Sequence, residues 1–271
     1  MSRRNLWDVL QNTEINPIKE VLKIEKLFSR TEIFINEFEF KTIEDYIDSR
    51  YFSSWKYRGT CLDISDFRKS KKILTTQRID GYANISIEDM FLYFEFIINM
   101  LYLIKEFDGN LADYYILIQE NIDFILEHYN QKSFSHKEED IFIIVEKSEK
   151  ATSVSELYPE IAIKVIEYNR FSLKGNLQRK KELLLAIAHK FEGVKKQLKQ
   201  VNPALCDDIT NLLNNINIRH NNEDKVKNIS DEDLEKWYDR IYDMLLLALL
   251  YVDYAEYIGG IRDLHKTLKV K

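Results

Sequence analysis

Ser86-Ile87-Glu88-Asp89-Met90-Phe91-Leu92-Tyr93-Phe94-Glu95-Phe96-Ile97-Ile98-Asn99-Met100-Leu101, continuing through Phe107 to Asp108-Gly109, is the stretch that decides the fold class of this chain. Ser86 with Asp89 three positions later is a helix-start pattern, in which each side chain can satisfy a backbone N–H that has no partner in the first turn. The residues that follow are apolar on nearly every face, as in a helix surrounded by its own protein. Asp108-Gly109 stops this helix. Asn110-x-x-Asp113 restarts a partner through Tyr115, Ile118, Ile122 and Ile125 to about Tyr129. A link this short makes the two helices antiparallel neighbours. Glu95 and Asn99 interrupt the first apolar run, and the second such run, Met244 to Val252, is far shorter than the ~20 residues a bilayer span needs. Both read as core helices, and no membrane association is expected.

Upstream, Asn16-Pro17 opens a helix expected to reach about Phe38, with Pro in the first turn where its missing N–H costs nothing. Thr42-x-x-Asp45 starts the next, leading into the aromatic segment Tyr46 to Trp55. Downstream, polar residues from Gln131 to Asp140 precede Ile141-Phe142-Ile143-Ile144-Val145, a short β-branched run with strand chemistry. Its candidate partners are Lys72 to Thr75 or Ile33 to Ile35. Further helices follow from Ser153-x-x-Glu156, from Leu177 after the break at Lys174-Gly175-Asn176, from Asn202-Pro203, and from Ser230-x-x-Asp233 through Trp237, Ile241, Leu245, Leu249 and Val252. The expected fold is mainly α, a multi-helix bundle with room for one small β-hairpin or short sheet. Residues 1–130 form an N-terminal helical region and 131–271 a C-terminal bundle, able to pack as a single domain.

Composition agrees with long helices. The 271 residues include only 7 Gly and 3 Pro, where average usage would give roughly 12% for the two together. An apolar share of 45% with 13% aromatics excludes a disordered chain. The net charge of −6 does not attract polyanions to the whole molecule, so nucleic acid would need a local patch. Cys61 and Cys206 lack metal-ligand spacing, the N-terminal residues show no secretory signal, and a reduced cytoplasm is expected. Phosphate-binding glycine loops, nucleophile elbows and H-E-x-x-H are missing. His189 with Glu182 and Glu192 lies on one helix, too few ligands for a first shell, so no metal or other cofactor is expected. His128, His136 and His265 are expected at the surface.

Two segments carry candidate chemistry. Asn217, Arg219, His220, Asn221 and Asn222 cluster where one amphipathic helix ends and a polar loop leads to the last long helix. Arg219 could hold a phosphate bidentately while His220 moves a proton near neutral pH, with the three amides orienting substrate. The same residues could cap the helix, cationic groups lying on exposed carbonyls and Asn adopting a left-handed conformation. The second segment, Trp55-Lys56-Tyr57-Arg58, interleaves aromatics with basic residues, and Arg68-Lys69-Ser70-Lys71-Lys72 adds charge nearby. Such mixtures stack bases and hold phosphates, though Tyr and Trp are equally at home half-buried.

From about Ile209 to Val252, the helix ending in Ile218-Arg219-His220-Asn221-Asn222, its loop and the Leu-rich helix resemble the C-terminal part of the HEPN superfamily of helical-bundle domains. The resemblance implies an HEPN-like bundle over 131–271, a dimer that joins two sites, RNA as substrate, metal-independent ribonuclease chemistry, and a prokaryotic defence or toxin-antitoxin setting. Arg219 matches the family's Arg and His220 its adjacent polar position. The family's second His is replaced here, Asp224 or Lys225 standing where it would fall. The competing expectation is a non-catalytic helical protein-protein interaction module.

Overall fold

The computed structural model describes residues 15–36, 39–81, 84–104, 109–216, 218 and 229–269, and most of these are helical. Two compact units divide between Ile144 and Val145, inside a strand. The boundary expected from the sequence lies at 130/131.

In the first unit, α1 (Pro17–Glu25) starts at Asn16, whose side chain accepts from the Lys19 N–H, and continues into a π-helical turn, Lys26–Arg30. The helix does not run on to Phe38. Ile33–Asn36 is β1, paired antiparallel with β2 (Glu39–Lys41), Ile33 opposite Lys41 and Phe34 opposite Phe40. The β-branched Ile33 and Ile35 favour this extended backbone over further helix. Next come α2 (Ile43–Arg50), capped by Thr42, two 3-10 turns, α3 (Ile64–Ser70), capped by Asp63, and α4 (Thr76–Asp80), capped by Thr75. The apolar helix α5 (Ile87–Tyr102) begins with the expected capping box: Ser86 Oγ accepts from the Asp89 N–H, and Asp89 Oδ2 accepts from the Ser86 N–H. It packs on α1 and on α6 (Gly109–His128), and eleven of its residues from Met90 to Leu101 are buried.

The polar interruptions of α5 have a structural use. Asn99 Nδ2 donates to the Phe142 carbonyl while its Oδ1 accepts from the Phe142 N–H, and Glu95 Oε2 accepts from the Ile144 N–H at 2.9 Å. These side chains clasp β4 (Ile141–Glu146), whose hydrogen-bonded neighbour is β3 (Gln131–His136). The expected strand is therefore present, but its partner is neither Lys72–Thr75 nor Ile33–Ile35. The turn between β3 and β4 places Asp140 at φ 54 and closes on the His136 carbonyl. His136 is buried, contrary to expectation, and its Nδ1 accepts from the Glu139 N–H; His128 is exposed.

In the second unit, β4 ends against Arg170, and the Glu146 N–H donates to the Asn169 carbonyl. Ser148 caps α7 (Glu149–Leu157), earlier than the expected start at Ser153. A Pro159–Ile161 turn leads into α8 (Ala162–Tyr168). Gly175, at φ 77, breaks the chain as expected, and Asn176 caps α9 (Leu177–Val201). Asn202 caps α10 (Pro203–Asn215), and Ser230 Oγ accepts from the Asp233 N–H to open α11 (Asp231–Lys269). Helices α9, α10 and α11 pack on one another, and α7 and α8 pack on that group. By length and composition α11 could cross a membrane, and only 28% of its most apolar 18-residue window is buried.

Candidate functional site

Arg68 stands in the charge run Arg68-Lys69-Ser70-Lys71-Lys72, yet its side chain is only 2% exposed. It does not extend a basic surface. Nε and Nη2 donate to the Leu74 carbonyl, Nη2 to Glu25 Oε2 at 3.1 Å, and Nη1 to Glu44 Oε1 at 3.2 Å. The guanidinium lies over the rings of Tyr93 and Phe96. Glu25, fully buried, also accepts from Thr76 Oγ1 and Tyr93 Oη at 2.6 Å each. A buried charge is tolerated only when paired and hydrogen-bonded, and this cluster meets both conditions. Burial and the neighbouring Glu25 carboxylate push the Tyr93 phenol well above its ordinary pKa.

Above this cluster, α2, α3 and the start of α4 enclose a cleft of about 420 Å³ lined by Glu44, Asp45, Asp48, Asp63, Arg68 and Lys69, with Ser65, Thr75 and Thr76 supplying hydroxyls. Four carboxylates face two cations there. Desolvation raises the Glu44 carboxyl, the Arg68 guanidinium opposing it. Desolvation likewise raises Asp48, opposed by its hydrogen bond from the Ile64 N–H. The cleft offers no guanidinium to a phosphate, because all three Arg68 nitrogens donate internally. The spacing of Glu44 and Asp48, one turn apart on α2, was visible in the sequence; the buried arginine was not.

Trp55, Lys56, Tyr57 and Arg58 come together around the two 3-10 turns that precede α3. Trp55 meets Phe67 edge-on at 5.1 Å and Tyr57 at 5.9 Å between ring centroids. Tyr57 Oη donates to the Glu139 backbone carbonyl and lies 2.9 Å from Glu139 Oε2. Arg58 folds back, Nε donating to the Ser53 carbonyl and Nη1 to the Cys61 carbonyl. Lys56 is exposed, its ammonium 4.8 Å from the Tyr57 ring centre. The four side chains thus adjoin, with Trp55, Tyr57 and Arg58 also tied to their own unit.

Asn217, Arg219, His220, Asn221 and Asn222 lie outside the described residues. Their frame is described: α10 ends at Asn215, Ile216 and Ile218 are buried at 8% and 1% exposure, and α11, which starts at Asp231, packs on α10. Two apolar anchors therefore fix the chain just before Arg219. At the adjoining start of α9, a polar network that the sequence reading missed joins three helices. Lys180 Nζ donates to Asp239 Oδ1 at 2.7 Å and pairs with Glu235 at 2.8 Å; Tyr168 Oη donates to Asp239, and the Tyr168 ring stacks on Tyr242 at 4.1 Å. Tyr242 Oη donates to the Val165 carbonyl and accepts from Asn169 Nδ2. Burial pushes both phenols above their ordinary range, the Asp239 carboxylate adding to the effect on Tyr168. Neither tyrosine ionises at neutral pH, so the network is a staple between α8, α9 and α11.

Comparison with protein-family models, curated proteins and solved structures gave no match.

Proposed function

We propose that the second unit is an HEPN-like helical bundle whose α10–α11 connection binds RNA and cleaves it without a metal. The observation that carries this reading is the burial of Ile216 and Ile218 directly before Arg219-His220, in a connection between two packed helices. Arg219 neutralises a phosphate through two parallel N–H···O bonds, and His220 removes the proton of a ribose hydroxyl. Asn217, Asn221 and Asn222 orient the substrate. A second copy supplies a further imidazole to protonate the leaving oxygen, in place of the histidine that the motif lacks. Such an activity would act in the reduced cytoplasm expected from the cysteine usage, and the resemblance implies a prokaryotic defence or toxin-antitoxin role.

The test is cleavage of labelled RNA by the full chain in excess chelator, compared with Arg219→Ala/His220→Ala. Loss of a general base lowers the rate by about 10²–10⁴, so the double variant should leave RNA intact while melting as the wild type does. If the wild type leaves RNA intact too, the ribonuclease reading fails. A non-catalytic interaction module is the second reading, favoured by one observation: Leu247, Tyr254, Tyr257, Leu264 and Leu268 of α11 are exposed.

A further inference from the structure

The last described buried residue of α11 is Val252, and beyond it the helix keeps an apolar face that the second unit leaves in solvent. Leu250, Tyr254, Tyr257, Ile261, Leu264 and Leu268 follow one another at alternating spacings of four and three residues. That is the a and d pattern of a coiled coil, whose period of about 3.5 residues keeps one seam facing a partner helix. The outer members are well exposed: Tyr254 60%, Tyr257 67%, Leu264 57% and Leu268 63%.

We infer that the C-terminal half of α11 pairs with the same segment of a second copy of this chain as a two-stranded coiled coil. Three observations select that occupant. First, a seam of this period matches only a helix with the same repeat. Within the chain α9 shows the spacing at Leu184, Ile187, Phe191 and Leu198, but those side chains are already buried in the second unit. Second, charge does not oppose self-pairing. At the positions flanking the seam from Leu250 to Leu268, Asp253 is the one acidic or basic residue besides His265, while Glu256, Arg262, Asp263, Lys266 and Lys269 occupy other heptad positions in the sequence. Two copies thus meet without a row of like charges. Third, the exposed fractions leave on the order of 600 Å² per copy, so a pair buries about 1,200 Å², the lower end of the range for stable interfaces.

A bilayer is the competing occupant, since α11 is long and apolar enough to cross one. Against it, Gln197 of α9 donates to Glu256 at 3.1 Å, and the heptad pattern makes a stripe where a spanning helix needs an apolar circumference. The seam uses no residue of the candidate RNA site, because Leu250 lies nineteen residues along α11 from Asp231, roughly 28 Å at the helical rise.

Sedimentation of the full chain over about 1–100 µM tests it by mass action. The expected result is a dimer that Tyr257→Lys/Leu264→Lys converts to monomer, with the dissociation constant rising at least ~100-fold as two seam side chains are lost. The conservative Leu264→Met should stay dimeric, and so should Phe124→Lys, which removes an equally exposed apolar side chain from α6. Circular dichroism confirms that each variant is folded, the four charged or apolar changes being at exposed positions. A monomeric wild type at the highest concentration overturns the proposal, as does a dimer indifferent to the double lysine variant. A wild type that remains monomeric but co-sediments with phosphatidylcholine vesicles overturns it in favour of the bilayer.

Discussion

Replacing Arg68 by Met should destabilise the first unit more than any surface change in the same charge run. The Arg68 side chain is 2% exposed and that of Glu25 0%, so the methionine would leave a carboxylate sealed from water with only Thr76 and Tyr93 donating to it. Removing one partner of a buried ion pair costs about 3–5 kcal/mol. For a cooperative unit spanning 1–144, that lowers its melting temperature by roughly 10–15 °C. Far-ultraviolet circular dichroism and calorimetry read the shift directly. The decisive comparison is Arg68→Met with Glu25→Gln. The amide keeps one oxygen to accept from Thr76 or Tyr93 and puts a donating NH2 in place of the other, but it carries no charge, so the double variant should be more stable than the sum of the singles implies, by about 2 kcal/mol. A loss below about 3 °C for Arg68→Met, or strict additivity in the double variant, would refute the buried-pair account.

Glu44 makes the cleft pH-sensitive. Its carboxyl is raised in the folded chain, so the native state binds the proton more tightly, and stability falls as pH rises from about 4.5 through the folded value. Relative to Glu44→Gln, the wild type should gain melting temperature as the solution is acidified through that window. A constant difference across the window would contradict the desolvation of Glu44. In the second unit, Tyr242→Phe strips a partner from both the Val165 carbonyl and the Asn169 amide, which should cost about 1–3 kcal/mol; an unchanged melt would show that these groups find other partners.

Local chemistry was legible in the sequence. Asn16, Thr42, Ser86, Asn202 and Ser230 all accept hydrogen bonds at helix starts, as their spacing indicated, and the largely apolar run from Met90 to Leu101 announced a buried helix. What failed was non-local. Arg68 reads as one cation among several because its partners, Glu25 and Glu44, stand 43 and 24 residues away. The partner of β4 is Gln131–His136, whose largely polar composition lacks strand periodicity; its pairing follows from the turn before Ile141 and from Glu95 and Asn99 holding β4 in place. Extending α1 to Phe38 followed helical periodicity past the point where Ile33 and Ile35 favour β1. The expected candidate residues Trp55 to Arg58 do adjoin, yet sequence alone could not show Arg58 bonded to its own turn.

The measurement closest to the central claim combines RNA affinity with thermal stability for wild type and Arg219→Ala/His220→Ala, using fluorescent single-stranded RNA in chelator at two salt concentrations. A phosphate-reading loop predicts salt-sensitive binding that weakens at least ~10-fold in the variant, at an unchanged melting temperature. Equal RNA affinity in both proteins, or no binding by either with a variant that melts several degrees lower, would assign Arg219 and His220 to capping the end of α10.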